Sequence, residues 1–313
     1  MTEVRDVIII GGGIAAHTAA IYTSRASLKP LVISGNGLDQ LSLTTTVENY
    51  PGFIQGIQGP DLINNCKEQA KRFGTEYLEE NATSFKKEKN FFSISAGKKT
   101  FKARTIIITT GASARTLNIP GEEKYFGKGV STCAVCDAAL YRDKTAVVIG
   151  GGDSPMEETL ALYKFAKKIY IVHRRDEFKA SKIMQDRVLK LKDKIDIIWD
   201  SEATAVKGNK FVESVTIKNL KTGTTKEIAC DGMFLAIGHI PNTAIFKNTI
   251  KLDDQGYIIT DERGRTNVPG IFAAGDVQDH IYKQAITSAG TGCRAALEVE
   301  KYLEHMKATG TYT

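Results

Sequence analysis

One local pattern occurs twice in this chain: an apolar run, three consecutive glycines, and a segment suited to a helix. Asp6 to Ile10 leads into Gly11-Gly12-Gly13-Ile14-Ala15-Ala16, and Lys144 to Ile149 leads into Gly150-Gly151-Gly152-Asp153-Ser154-Pro155, the second cluster beginning 139 residues after the first. An unbroken apolar run is what a strand buried on both faces of a parallel sheet requires. The glycines that follow let the backbone close around a pyrophosphate, and the first turn of the next helix offers unpaired N–H groups and the positive end of its dipole. A single such hexapeptide says little, whereas a repeat of the whole strand, turn and helix implies an α/β chain with two dinucleotide-binding domains. At 313 residues there is room for both, since domains commonly run about 100–150 residues.

The two copies differ where a ribose would lie. The second strand of the first copy, Pro30 to Ile33, ends at Ser34, where a carboxylate would usually hold a ribose hydroxyl. The corresponding strand of the second copy, Ile169 to Val172, ends in His173-Arg174-Arg175, with Lys179 close behind. Two guanidinium groups there can fork onto a 2′-phosphate that an acid would repel, which favours NADP over NAD; a solvated charge cluster at a strand end is the plainer alternative.

Just before the second copy stands Cys133-Ala134-Val135-Cys136-Asp137. Two thiols at this spacing can close into a disulfide and reopen, and a helix start lowers a thiol pKa toward neutrality. The competing use, half of a zinc site, needs a second pair of nitrogen or sulfur ligands. Cys66, Cys230 and Cys293 stand alone and the five histidines are scattered, so redox chemistry is the favoured reading.

Composition narrows the remainder. A hydrophobic content of 42% and a charged content of 25% fit an ordinary globular protein, and the short apolar run after Met1 is no signal sequence or membrane span, giving an expected cytoplasmic location. The net charge of +6 suits cofactor phosphates or an acidic partner, and without a basic run interleaved with aromatics neither nucleic acid nor membrane is expected as a partner.

Elsewhere the pattern predicts a polar loop over Leu41 to Phe53, a helix over Asp61 to Phe73 with Cys66 on its apolar stripe, and a hairpin of Phe91 to Ser95 with Thr100 to Arg104. Further strands are expected at Thr105 to Thr110, Lys194 to Trp199, Phe211 to Lys218, Thr225 to Cys230, Met233 to Ile237 and Ile271 to Ala274. The helix after the second glycine cluster is expected from Met156 to about Lys168, and a long one from Gln284 to Leu303 with Cys293 buried in it. A polar tail follows from Lys307 to Thr313.

Together these motifs resemble the low-molecular-weight thioredoxin reductases nearly end to end. The resemblance is carried by Cys133-Ala-Val-Cys136-Asp137, Gly150-Gly-Gly-Asp-Ser154 and His173-Arg-Arg-Asp-Glu-Phe-Lys-Ala-Ser181. It is carried further by Val47-Glu-Asn-Tyr-Pro-Gly-Phe53, Phe272-Ala-Ala-Gly-Asp-Val-Gln-Asp279 and Gln284-Ala-Ile-Thr-Ser-Ala-Gly-Thr-Gly292. It implies two Rossmann-like domains, with an FAD domain formed by residues 1–117 and 244–313 and an NADPH domain, 118–243, inserted into it and carrying the dithiol. It also implies a homodimer, and electron flow from NADPH through FAD and the Cys133–Cys136 pair to oxidised thioredoxin. Carried over residue by residue, Gly11, Gly13 and Ile14 hold the FAD pyrophosphate, Gln40 and Asn49 lie by the flavin, Ala82 meets the adenine end, Asp276 binds the ribitol, and Gln284 and Ala285 lie beneath the ring. For NADPH, Gly152 and Ser154 meet the pyrophosphate, and His173, Arg174, Arg175 and Lys179 surround the 2′-phosphate. Cys136 faces the flavin, Cys133 attacks thioredoxin, and Asp137 is the general acid.

The chain departs from the family pattern at Leu38-Asp39, Pro155, Lys179 and Ala138, the first of which bears on the flavin edge and the next two on NADPH. Because dithiol and NADPH site share one domain, rotation of that domain about Pro120-Gly121 and Gly238 to Pro241 is expected. Three alternatives stay open: reduction of another disulfide protein, a small-molecule dithiol oxidase, and a flavin or nucleotide sensor without turnover.

Overall fold

A computed structural model describes residues 4–311. Six α-helices punctuate the described chain: α1 (Ile14–Arg25), α2 (Gly59–Arg72), α3 (Ala134–Asp137), α4 (Asp153–Tyr163), α5 (Lys182–Leu189) and α6 (Ala285–Ala308). The chain forms two compact units, one running to Ser113 and resuming at Ile240, the other comprising Ala114–His239. The crossings at 113/114 and 239/240 fall four residues before the expected 117/118 and 243/244. Leu117 and Ile119 already pack in the core of the second unit. Asn242 is tied into the first by its N–H to Gly111 O (3.0 Å) and its side-chain amide to Thr110 O (2.9 Å).

In the first unit a seven-stranded sheet runs in the order Glu76–Leu78, Leu31–Ile33, Val4–Ile10, Lys99–Ile108, Phe92–Ala96, Ala82–Lys87, with Ile271–Ala273 beside Lys99–Ile108. The strand from Val4 pairs in parallel on both sides, Ile8 lying opposite Leu31 and Ile106. Its side chains and those of the neighbouring strands alternate between two cores, Ile8, Ile10, Ile106 and Ile108 on one face and Val7, Ile9, Ile107 and Phe272 on the other. This double burial is why the sequence reads as an unbroken apolar run. The segments expected as half a hairpin and a separate strand, 100–104 and 105–110, form the single strand Lys99–Ile108, antiparallel to Phe92–Ala96 at one end and parallel to Val4–Ile10 along its length.

Helices α1 and α6 cover one face through small residues: Ala15, Ala16, Ala19 and Ala20 meet Ala295 and Ala296. A Cβ at Gly292 would stand 2.3 Å from Ala15 O, so only glycine admits this approach. We expect Gly292→Val to cost about 1–3 kcal/mol by forcing the helices apart; calorimetry should register a lower melting temperature, and an unchanged one would contradict the packing account. Helix α6 continues through Ala308, with the Thr309 hydroxyl donating to His305 O at 2.9 Å, so Lys307 is helical and not part of a tail. Residues 312 and 313 of the expected tail lie outside the described residues.

The second unit holds an all-parallel five-stranded sheet in the order Val130–Ser131, Gly232–Leu235, Thr145–Ile149, Lys168–Val172, Ile195–Ile198. An antiparallel sheet of Ser201–Gly208, Val212–Asn219 and Thr225–Ala229 belongs to the same unit. Helix α4 stops at Tyr163, earlier than its pattern implies, because the chain must turn through Phe165 so that Lys167 N–H can reach Lys144 O (2.8 Å) and begin the next strand. Pro120-Gly121, expected as a hinge, is instead clamped inside this unit. Val206 N–H donates to Pro120 O at 2.8 Å, and a Cβ at Gly121 would stand 2.0 Å from Val206 O.

Candidate active site

The carboxyl ends of the parallel strands carry the glycine clusters. In the first unit Gly11 has φ +132°, its N–H bonds Ile33 O at 2.9 Å, and a Cβ there would lie 2.2 Å from Thr109 O; at Gly12 it would lie 2.7 Å from Ser34 O. Gly13 faces open space apart from Asp39 Cβ at 3.9 Å, and as N-cap of α1 it leaves the first N–H groups without a side-chain acceptor. A cradle of backbone donors with no room for side chains on its walls fits a pyrophosphate. Ser34 Oγ, a candidate ribose ligand by position, donates to Leu78 O and Gly35 O (3.3 and 3.2 Å).

Around this cradle the same unit gathers further expected residues. Gly275 packs against Ala15 and starts the turn that holds Asp276, whose Oδ1 accepts the Ser288 hydroxyl at 2.8 Å. Burial raises the Asp276 carboxyl pKa, the Ser288 bond opposing the shift. Gln284 caps α6 just before Ala285, and its Oε1 accepts from Asn49 Nδ2 at 3.2 Å. Gln40 is exposed, two residues after Leu38 at 72% exposure. Asp39 is occupied in its own loop, Oδ1 accepting the N–H groups of Leu41 and Ser42 (3.0 and 3.2 Å) and Oδ2 the Ser42 hydroxyl (2.5 Å). Ala82 begins its strand next to Asn81, whose side chain pairs with Asn36 at 2.8 Å beyond the second strand.

The second unit repeats the device with a different lining. Gly150 has φ +141°, and Gly152, the N-cap of α4, has nothing within 4 Å of where a Cβ would sit. Ser154 is exposed, and Pro155 is buried in the first turn of α4, where a missing N–H costs no helical bond. Asp153 accepts the N–H and hydroxyl of Ser181 (2.8 and 2.7 Å), and Lys179 and Ala180 donate N–H bonds to Gly151 O (2.7 and 3.1 Å), strapping the basic loop to the glycines. Arg174, Arg175 and Lys179 are exposed, and among the described residues none is in an ion pair. His173 is set apart from them. It is buried against Phe178 and Trp199, its ring would meet a Cβ on Gly151 at 2.3 Å, and burial lowers its pKa. Its imidazole therefore supports the glycine loop from below.

Cys133 and Cys136 form a disulfide with a Cα–Cα distance of 5.3 Å. Cys133 is N-cap of α3, and its Sγ accepts the Cys136 N–H at 3.2 Å, a bond that would favour a Cys133 thiolate once the disulfide opens. Of the two, Cys136 is the more exposed. Burial raises the Asp137 pKa, against the opposing bond from Ser131. The other cysteines lie apart from this chemistry. Cys66 packs beside Leu62 and Ile63, Cys293 is half-buried and not fully enclosed as expected, and burial pushes the Cys230 thiol up to about 12.

Sequence reading passed over Glu158 on α4. Burial, then the charges of Asp137 and Glu157, push it from its ordinary 4.5 to about 8. A raised carboxyl contributes stability that is complete below its unfolded pKa and lost as pH climbs through the folded one. We therefore expect Glu158→Gln to gain stability relative to the parent between pH 4.5 and about 8, with a flat difference on either side. Urea midpoints across pH measure this, and a pH-independent difference would contradict it.

A mixed-sheet unit whose parallel strands carry a glycine cradle, a parallel-sheet unit with an arginine-flanked cradle, and a disulfide on the latter define a class, and comparison bears this out: the chain belongs to the pyridine nucleotide-disulphide oxidoreductase family, which matches residues 5–292. It is 48% identical over 307 residues to a thioredoxin reductase of Streptomyces clavuligerus, covering 97% of this chain and 95% of that one. It is 49% identical over 303 residues to that of Rickettsia conorii, covering 95% and 97%. The crystal structure of thioredoxin reductase from Streptococcus pyogenes superposes with a TM-score of 0.93 at 40% identity, covering 97% of this chain and all (100%) of that one. That of Giardia duodenalis gives 0.90 at 44%, covering 96% and 98%. Within its family, the chain falls among the thioredoxin reductases.

Proposed function

We propose that this protein is an NADPH-dependent flavoprotein that reduces the disulfide of thioredoxin. The observation that carries the reading is the Cys133–Cys136 disulfide, on a short helix of the unit whose glycine loop is flanked by Arg174, Arg175 and Lys179. FAD, when bound, supplies a carrier that accepts a hydride from NADPH and yields an electron pair to a disulfide. The cradle of Gly11, Gly13 and Ile14 with Asp276, Gln284, Ala285, Asn49, Gln40 and Ala82 supports FAD in the first unit. Gly152, Ser154 and the three cations, with His173 beneath, support NADPH in the second.

The protein's own part begins once the Cys133–Cys136 bond has taken up two electrons. Cys133, favoured as thiolate by the Cys136 N–H, attacks one sulfur of the substrate disulfide, forming a mixed disulfide and releasing the other sulfur, which takes a proton from Asp137. Cys136 then attacks Cys133 Sγ, re-forming the internal disulfide and releasing the second substrate thiol. Two electrons have moved from the dithiol to the substrate, with one proton from Asp137 and one from the Cys136 thiol.

Homodimer assembly and a cytoplasmic location extend the same reading; no helix among the described residues is long and apolar enough to cross a membrane. Steady-state NADPH oxidation with oxidised thioredoxin, a glutaredoxin-like protein and a peroxiredoxin as rival acceptors tests the substrate. The proposal requires thioredoxin to be preferred, and a higher kcat/KM for either rival would redirect it.

A further inference from the structure

Helix α4 carries a carboxyl that the exchange chemistry does not use. Glu158 lies three residues after Pro155 and four before Leu162, both buried, and so borders the inner side of α4. Leu162 shares one core with Ala134, Ala138 and Tyr141, the neighbours of Cys136 and Asp137, and α4 packs against α3. Glu158 Oε2 is sealed from solvent and has no hydrogen-bond partner. A buried carboxylate ordinarily answers to a cation, yet the charges that act on Glu158 are those of Asp137 and Glu157.

The other charged or titratable groups on the elements around it are engaged elsewhere. On α5, Lys182 pairs with Asp186 at 3.1 Å and Arg187 turns to Met184 Sδ at 3.6 Å. On the strand Lys168–Val172, Lys168 pairs with Asp196 at 2.9 Å and lies over the Tyr170 ring. Tyr141, on the turn after α3, donates to Gly129 O at 3.3 Å. On α4 itself Asp153 is held by Ser181, and Tyr163 donates to Asp193 at 3.0 Å. The strand Thr145–Ile149 carries no ionisable side chain.

We infer that Glu158 is a positioning residue for Asp137, the two carboxyls holding one proton between them beside the Cys133–Cys136 pair. The inference rests on the reading of Asp137 as the acid of the exchange step. Two carboxyls in one poorly solvated site resist ionising together, so they lose their protons in two steps that belong to the pair. Between those steps the pair keeps one proton, and the fraction of it found on Asp137 is a tautomeric ratio that does not change with pH. A lone Asp137 would instead lose its proton tenfold per pH unit above its own pKa. Glu158 thus preserves a constant share of protonated Asp137 across the neutral range. When Asp137 protonates the leaving substrate sulfur, both carboxyls stand ionised in a poorly solvated site, which drives the rapid return of one proton from water to the pair.

The test uses reduced holoenzyme mixed rapidly with oxidised thioredoxin between about pH 6 and pH 9.5, comparing the parent with Glu158→Gln and Asp137→Asn. The ratio of parent to Glu158→Gln exchange rates should climb with pH, by up to about tenfold per unit, and level off near pH 8. A ratio constant in pH, whatever its size, would mark a structural role and overturn the inference. If Asp137→Asn exchanges as fast as the parent, the reading of Asp137 fails first and the inference falls with it. If it is slow while the Glu158→Gln ratio is flat, the inference alone fails. Infrared titration of the unmodified protein gives a second readout that no folding defect can obscure: the C=O stretch of a protonated carboxyl should persist to about pH 8, and its loss by pH 6 would overturn the pairing.

Discussion

Replacing Cys133 or Cys136 with serine is expected to lower NADPH-dependent reduction of thioredoxin by at least about 1,000-fold, because each sulfur performs a bond-making step that a hydroxyl at neutral pH does not. The two variants should still differ. With Cys133 replaced, Cys136 remains as a thiolate able to donate to the oxidised flavin, and a long-wavelength charge-transfer absorbance should appear. With Cys136 replaced, the remaining Cys133 should give none. Titration of both variants under nitrogen, followed by absorbance, checks the assignment, and identical spectra would undo it. The hydrogen bond from Cys136 N–H to Cys133 Sγ gives Cys133 its advantage as the thiolate that attacks an outside disulfide.

The second large effect concerns the choice of nucleotide. Arg174 and Arg175 stand exposed beside the glycine loop, and the loop that follows them is fastened to Gly151 O through Lys179 and Ala180. Each charge-assisted contact to a phosphate contributes about 1.5–3 kcal/mol, so removing both as Arg174→Gln and Arg175→Gln should raise KM for NADPH about 100-fold or more. KM for NADH, which lacks the 2′-phosphate, should change little. Steady-state kinetics with the two nucleotides measure this directly. Equal effects on both would mean that the arginines hold the loop and do not read the phosphate.

Much of this arrangement is legible in the sequence because it is local. The apolar runs at 7–10 and 145–149 read as doubly buried strands, and the glycines after them announce backbone that side chains would block, as Gly11 and Gly150 do with Thr109 O and Ala236 O at 2.2 and 2.7 Å from a would-be Cβ. What depends on packing between distant segments is not legible. The edge strands Glu76–Leu78 and Ala82–Lys87 are polar enough to pass for loops, since one side of each faces water. His173 sits among cations in sequence but turns inward under Gly151, because the residue after a strand can face either side of the sheet and only Phe178 and Trp199 determine which. Asp39, which reads as an obstacle at the flavin edge, is engaged by Leu41 and Ser42. Glu158 carries no local signal at all: one of two adjacent acids on a helix reads as a solvated charge until α4 packs against α3.

A relay from NADPH through a bound flavin and the Cys133–Cys136 pair to an outside disulfide is tested most directly by an anaerobic titration of the flavin-loaded protein. Stoichiometric NADPH should bleach the flavin absorbance, and oxidised thioredoxin added afterwards should restore it in the parent but not in Cys133→Ser. Failure of NADPH to bleach the protein, or recovery with thioredoxin in the Cys133→Ser variant equal to that of the parent, would contradict it.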